Sequence, residues 1–134
     1  MSLQNQIRTW WSNFQLQRST ATFRVVCYES GITQISENRG QSHGVQLAWE
    51  QITDVFAFKR DCFTVDQISI VVGNSDLKEW VEVTEDDDGY GELILQLPLY
   101  LSGCPTLDSW FQRVALPPFE TQWTHIYQKA AATD

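Results

Sequence analysis

The chain has 134 residues, of which 43% are hydrophobic, and 17 carboxylates against nine Lys and Arg give a net charge of −8. The apolar fraction excludes a disordered chain, and the length suffices for one domain with a proper core. The longest apolar stretches fall far short of the ~18 residues that a membrane-spanning helix needs. The first 20 residues lack an export signal, so we expect a cytoplasmic protein without a membrane partner. Nucleic-acid binding is also not expected, because phosphate affinity comes from Lys and Arg.

An amphipathic helix is predicted within residues 1–18. Its apolar side chains recur at offsets of 0, 4, 7, 8 and 11, which place them on one helix face; they are Leu3, Ile7, Trp10, Trp11 and Phe14. A membrane-surface helix would need a polar face rich in Lys and Arg, and this face is poor in both. We therefore expect the stripe to dock on the domain, or its members from Ile7 onward to form the contacts of a homodimer.

An antiparallel meander is predicted over residues 22–83. Short β-rich runs alternate in polarity and are separated by turn residues; they cover 22–28, 32–36, 45–49, 52–59, 65–72 and 77–83. Residues 37–44 are polar and predict a loop, and residues 73–76 predict a hairpin turn.

One sheet core is expected from the spacing of the apolar residues in these strands; it comprises Trp49, Ile52, Phe56, Ile68, Ile70, Val81 and Val83. In the last strand, Leu77, Val81 and Val83 should face inward, which turns Trp80 and Glu82 outward. Trp80 would then be exposed, or covered by the N-terminal helix or by a partner.

Two helices and an extended tail are predicted after the meander. Apolar residues at offsets of 0, 4, 7 and 11 from Tyr90 indicate a helix over 88–97, and Pro98 should end or kink it near Leu97. A second helix is indicated over 107–114, with Thr106 as N-cap. Residues 119–127 fit a helix or a strand, and their Thr and aromatic content favours the strand. The whole predicts one α+β domain over 1–134, with an N-terminal helix (1–18), a meander (22–83) and a C-terminal part (88–128) whose helices pack on one face.

Acidic residues are concentrated in one part of the chain. Residues 61–92 contain ten carboxylates and one base, and four of these acids are consecutive, from Glu85 to Asp88. A calcium loop that starts at Thr84 lacks a carboxylate at its first position and, at Leu95, at its twelfth. The run could cap the N-terminus of the following helix, form a partner-binding face, or hold a cation weakly. A cap does not need four adjacent like charges, which repel one another.

We therefore expect an exposed partner-binding surface around this run. Its members are Trp80, Glu82, Glu85, Asp86, Asp87 and Asp88. A basic protein would be its natural partner.

The sequence contains no motif of a known catalytic or cofactor site. The two histidines, His43 and His125, are more typical of a polar loop and of a structural position than of a catalytic base. The three cysteines, Cys27, Cys62 and Cys104, lack the clustering that a zinc site needs, so we expect reduced thiols, no metal and no cofactor. Cys27 lies in an apolar run, where burial should make it unreactive.

The stretch from Trp49 through Ile52 to Val55 resembles the W-x-x-I-x-x-V element of bacterial PH-like domains. The wider pattern, over residues 45–127, is similar to a family of small uncharacterised bacterial proteins. This resemblance implies a curved antiparallel sheet with a C-terminal helix, and two helices after the meander leave an incomplete barrel as an alternative to a closed one. Lipid binding does not carry over, because Lys59 and Arg60 stand alone among acids where PH domains have a basic cluster.

The expected function is therefore non-enzymatic binding to another protein, as in immunity proteins or regulatory modules. A small-molecule or lipid binder that uses a crevice between sheet and helix is one alternative, and an unrecognised hydrolase is another.

Overall fold

The computed structural model describes Leu3, residues 6–7, Thr9 and residues 21–61, 66–115 and 123–129. Its elements are, in chain order, β1 (Thr22–Cys27), β2 (Gly31–Asn38), β3 (Gln41–Ala48), a 3-10 helix (Trp49–Gln51), β4 (Asp54–Asp61), β5 (Asp66–Asn74), β6 (Glu79–Thr84), α1 (Tyr90–Tyr100), α2 (Leu107–Ala115) and β7 (Thr124–Gln128). The strands form two antiparallel sheets, ordered β1-β2-β3 and β6-β5-β4-β7, which do not close into a barrel. The predicted α+β class, an antiparallel meander with helices, is confirmed.

The first sheet contains a longer hairpin than the sequence predicts. β2 and β3 pair over their full lengths, from Gly31 opposite Ala48 to Asn38 opposite Gln41. Only Arg39 and Gly40 separate the two strands, with φ angles of 54° and 77°. Two successive positive φ angles are typical of a type I′ turn, whose twist matches that of a hairpin. The predicted loop over 37–44 is therefore wrong, because most of those residues extend the two strands.

The second sheet is a three-stranded meander, β4-β5-β6, to which β7 is added at the β4 edge. β7 confirms the extended alternative for residues 124–127 of the predicted tail, whereas residues 119–122 lie outside the described residues. Its register with β4 shifts between Val55 and Phe56, which is the signature of a β-bulge. Thr53 supports the β7 end, since the Lys129 N–H donates to its carbonyl oxygen at 2.8 Å.

The main core lies between the two sheets and the two helices. It contains inward residues from all seven strands, among them Val25, Leu47, Val55, Ile70 and Val83. Both helices contribute side chains to this cluster. α1 packs against β1, and α2 against β4 and β7.

A second apolar cluster lies on the opposite face of the four-stranded sheet. It contains Phe56, Phe58, Val71 and Trp80, with Ile7 from the N-terminal segment packed among them. The prediction of one sheet core is therefore wrong for Phe56, which belongs to this second cluster. Strand alternation is the reason, because successive side chains point to opposite faces and both faces of this sheet are covered.

α1 extends one turn beyond its predicted end. Pro98 lies inside the helix, which continues to Tyr100, and the Leu101 N–H still donates to the Leu97 carbonyl at 2.9 Å. Proline near the end of a helix costs less than in its middle, since few later turns depend on it. The second predicted helix is confirmed by α2. The Ser109 N–H donates to the Thr106 carbonyl at 3.0 Å, consistent with a helix start at that residue.

Candidate functional site

The consecutive acids form a turn between β6 and α1, which we name the acidic turn (residues 84–88). Two hydrogen bonds close it: the Asp87 N–H donates to the Thr84 carbonyl at 2.9 Å, and the Thr84 N–H donates to Asp87 Oδ2 at 3.0 Å. A second pair of bonds ties it to β5. The Glu85 N–H donates to the Ile68 carbonyl at 3.0 Å, and the Ile68 N–H donates to Glu85 Oε1 at 3.0 Å. The backbone of the turn is therefore an ordered continuation of the sheet.

The acidic turn is also attached to the first sheet. The Val25 N–H donates to the Asp88 carbonyl at 2.9 Å, and Arg24 forms an isolated parallel bridge with Asp88. The next residue, Gly89, has a φ of 92°, and a Cβ at that position would lie 1.9 Å from the Val25 carbonyl oxygen. Only glycine fits such a close approach, so the sequence permits β1 to pack directly beneath the turn.

Three of the four acids of this turn are exposed to solvent. Glu85, Asp86 and Asp88 are exposed and Asp87 is half-buried. Asp86 accepts a hydrogen bond from the Gln67 side chain, which orients one of its oxygens. The charge has a local effect as well: burial, followed by the charge of Glu85, raises the pKa of Tyr90 to about 12.

These acids do not form a side-chain cap of α1, which was one of the three alternatives for the run. The N-cap of α1 is Gly89, which has no side-chain cap hydrogen bond. The carboxylates of Glu85 and Asp87 instead accept from backbone N–H groups of β5 and β6. The acids therefore stabilise the turn that precedes the helix.

Two residues predicted for the exposed surface are buried. Glu82 is fully buried in β6, where its carbonyl accepts a hydrogen bond from Gln34 Nε2 at 2.6 Å. Trp80 is 5% exposed, and its indole Nε1 donates to Gln6 Oε1 at 3.1 Å. The expectation that Glu82 lies in the exposed surface is wrong, and Trp80 is covered by the N-terminal segment. The physical reason is that β6 is covered on both of its faces.

The predicted oligomer contacts divide into two groups. Ile7 is buried against Phe56 and Trp80 of the same chain, as the docking alternative expects. The others lie outside the described residues; they are Trp10, Trp11 and Phe14.

Sequence reasoning missed a buried aspartate that contacts a histidine. Asp54, at the start of β4, is 2% exposed, and its Oδ1 lies 2.8 Å from His125 Nε2 on β7. Thr53 Oγ1 donates to the other carboxylate oxygen at 2.6 Å, and Phe56 stacks on the imidazole at 4.2 Å. The two residues are 71 positions apart, and only the β4–β7 register brings them together.

A carboxylate that orients an imidazole is half of a catalytic constellation, but a nucleophile must also contact the ring. Among the described residues, no serine, threonine or cysteine side chain hydrogen-bonds to His125. The pair joins the bulged strand β7 to β4, and we assign it a structural role.

Within the described ranges, no three His, Cys, Asp or Glu side chains are placed to hold a metal ion. None of the helices in the described part of the chain is long and apolar enough to cross a membrane. No family model, no curated protein and no solved structure matches the chain. Its function is therefore inferred from its own residues.

Two cysteine thiols are held protonated. Burial raises the pKa of Cys27 from 9.0 to about 11, with a smaller contribution from Glu92, and burial raises the pKa of Cys104 to the same value. A pKa of about 11 rather than 9 leaves about one hundredth as much thiolate at pH 8. Since the thiolate is the nucleophile, both groups should react slowly.

We expect a Cys62→Ser variant, whose remaining thiols are these two, to react with Ellman's reagent at pH 8 at least about 100-fold more slowly than free cysteine. Unfolding in urea should restore two fast thiols per chain, which provides the internal control. Fast labelling of either thiol in the folded variant would contradict the assigned burial.

Proposed function

We propose that the chain is a non-enzymatic binding module that recognises a basic surface of another protein through the acidic turn. The supporting observation is that the turn is fixed by hydrogen bonds to both sheets while the carboxylates of Glu85, Asp86 and Asp88 remain exposed. A surface that is ordered before binding loses less conformational entropy when the complex forms.

The distribution of charge favours the same function. Glu92 is exposed in the first turn of α1 and adds to the carboxylates of the acidic turn. Arg24 is the basic neighbour of the turn, through its bridge with Asp88. A concentrated negative field of this kind attracts a basic partner and raises the rate of encounter, an effect that salt screens.

The test is the association rate of a fluorescent arginine-rich peptide, measured by stopped flow at low and at physiological salt. We expect Asp86→Asn combined with Asp88→Asn to slow association several-fold at low salt and to change dissociation little. Both substitutions preserve side-chain size, and the fold should be retained because Asp88 contributes its backbone carbonyl rather than its carboxylate to the contact with Val25.

The matched control replaces two exposed acids elsewhere, Glu29→Gln and Glu50→Gln, and changes the net charge by the same amount. It should bind the peptide nearly as fast as the unmodified chain. Equal slowing in both double variants would mean that the peptide responds to overall charge, and the acidic turn would lose its role.

A further inference from the structure

At the end of the first sheet that lies away from the core, polar side chains of the described residues line one face of the sheet. Beyond the core, the register places Phe23, Ser36 and His43 in one row across β1, β2 and β3. Asn38 lies opposite Gln41 in the next row of the hairpin. These five residues, together with Ala21 and Arg39, line a cleft of about 640 Å³.

The cleft differs from the rest of this acidic protein in its chemistry. Its described lining contains no carboxylate, but an arginine, a histidine, a hydroxyl and two side-chain amides. The acid of β2, Glu37, does not line the cleft; it lines a smaller neighbouring concavity with Asp88, and Phe23 contributes to both. The chain as a whole has a net charge of −8, whereas this cleft offers hydrogen-bond donors and a cation without any described carboxylate. Such a lining favours an anionic ligand.

Arg39 occupies a backbone conformation that arginine seldom adopts. Its φ is 54°, at the first position of the two-residue turn, where asparagine, aspartate and glycine are preferred. Asparagine at position 39 would adopt this φ at a lower cost in free energy, so the geometry of the turn does not explain why the residue is arginine. Arg39 lines the cleft, and the planar array of N–H donors in a guanidinium matches a phosphate or carboxylate group.

We propose that this cleft binds a small phosphate monoester of about nucleotide size, with the Arg39 guanidinium and the His43 imidazole as its anion contacts. The volume supports this class, because ligand pockets for molecules of that size span about 300–1,000 Å³. Ser36 and Gln41 offer hydrogen bonds to the polar atoms of the ligand, and Ala21 and Phe23 supply the apolar part of the lining. This site is separate from the acidic turn and does not depend on the function proposed for it.

The experiment is a titration of the full-length ¹⁵N-labelled chain with adenosine monophosphate, followed by amide chemical shifts. Inorganic phosphate and adenosine are titrated separately. We expect saturable shifts at Phe23, Ser36 and His43, with the monophosphate bound more tightly than either part. If adenosine bound as tightly as adenosine monophosphate, the proposed contact with the phosphate group would be wrong. If inorganic phosphate bound as tightly as adenosine monophosphate, the proposed nucleotide size of the ligand would be wrong.

Arg39→Asn separates binding from folding. Asparagine adopts positive φ more readily than arginine, so the melting temperature should stay the same or rise. The affinity for the monophosphate should fall at least about tenfold, because a charge-assisted contact is lost.

Lys78→Asn is the matched control. Lys78 is the other described non-glycine residue with positive φ, at 56°, and it lies in the β5–β6 turn. The substitution removes the same charge from the same backbone conformation, and monophosphate binding should be unchanged. Unaltered affinity in Arg39→Asn, equal losses in both variants, or no saturable binding to the unmodified chain would each overturn the proposal.

Discussion

Replacing Trp49 with alanine should lower the free energy of unfolding by about 3–5 kcal/mol, the usual cost of removing a buried large aromatic ring. Trp49 is 5% exposed and lies in the 3-10 helix that links the two sheets. Its Nε1 donates to the Tyr28 carbonyl at 2.9 Å, and its ring stacks on Tyr100 with centroids 4.6 Å apart. One side chain therefore joins the end of β1, the link between the sheets and the last turn of α1.

Urea denaturation measured by circular dichroism would test this expectation. Trp49→Phe should cost less, about 1–2 kcal/mol, because it keeps an aromatic ring in the core and loses the indole hydrogen bond. Leu99→Ala is a suitable control, since Leu99 is 75% exposed on α1 and its loss should change stability by less than about 0.5 kcal/mol. A Trp49→Ala variant as stable as this control would show that the residue does not hold the core together.

The sequence predicts the strands better than it predicts what covers them. β1 and α2 each bury one face, so apolar residues alternate along β1 and recur at helical spacing along α2. Both elements form where the sequence predicts them. β6 instead is buried on both of its faces, with Val81 and Val83 on one face and Trp80 and Glu82 on the other. The second cover comes from a segment 74 residues away, through the contact of Trp80 with Gln6. No local pattern in β6 contains that information.

The candidate sites differ in how far the sequence reveals them. Four consecutive acids predict an exposed surface on their own, because their burial would be too costly. The attachment of the turn to β1 depends on a long-range backbone contact, from Asp88 to Val25. The polar cleft is not predicted from the sequence, because several of its residues lie in 37–44, which the polar composition predicts as a loop rather than as strand. Gly40 is the available signal, because glycine suits the second position of a two-residue turn and such a turn extends the alternation of β2 and β3, but Arg39 at the first position is not typical of that turn.

A chain that begins at Ser19 should expose the second apolar cluster and lose solubility or change its oligomeric state. This cluster is rich in aromatic rings: Phe58 stacks on Trp123 at 4.2 Å, and Phe56 meets Trp80 edge-on at 6.3 Å. Ile7 packs among them and is only 2% exposed. Without the N-terminal segment, these rings would form a contiguous apolar patch, which drives association.

A single substitution in the full chain makes the same test without truncation. Ile7→Asp places a carboxylate among the apolar side chains that surround Ile7, and burying a charge there costs more free energy than docking of the segment supplies. The segment should therefore detach, with higher fluorescence of an apolar dye, a red shift of tryptophan emission and a larger particle in light scattering. Thr9→Asp adds the same charge at an exposed position of the same segment and should behave as the unmodified chain does. If Ile7→Asp matched Thr9→Asp in all three measurements, the N-terminal segment would not be the cover of this sheet face. If only Ile7→Asp responds, then docking of the N-terminal segment is what buries Trp80 and covers the second face of the four-stranded sheet.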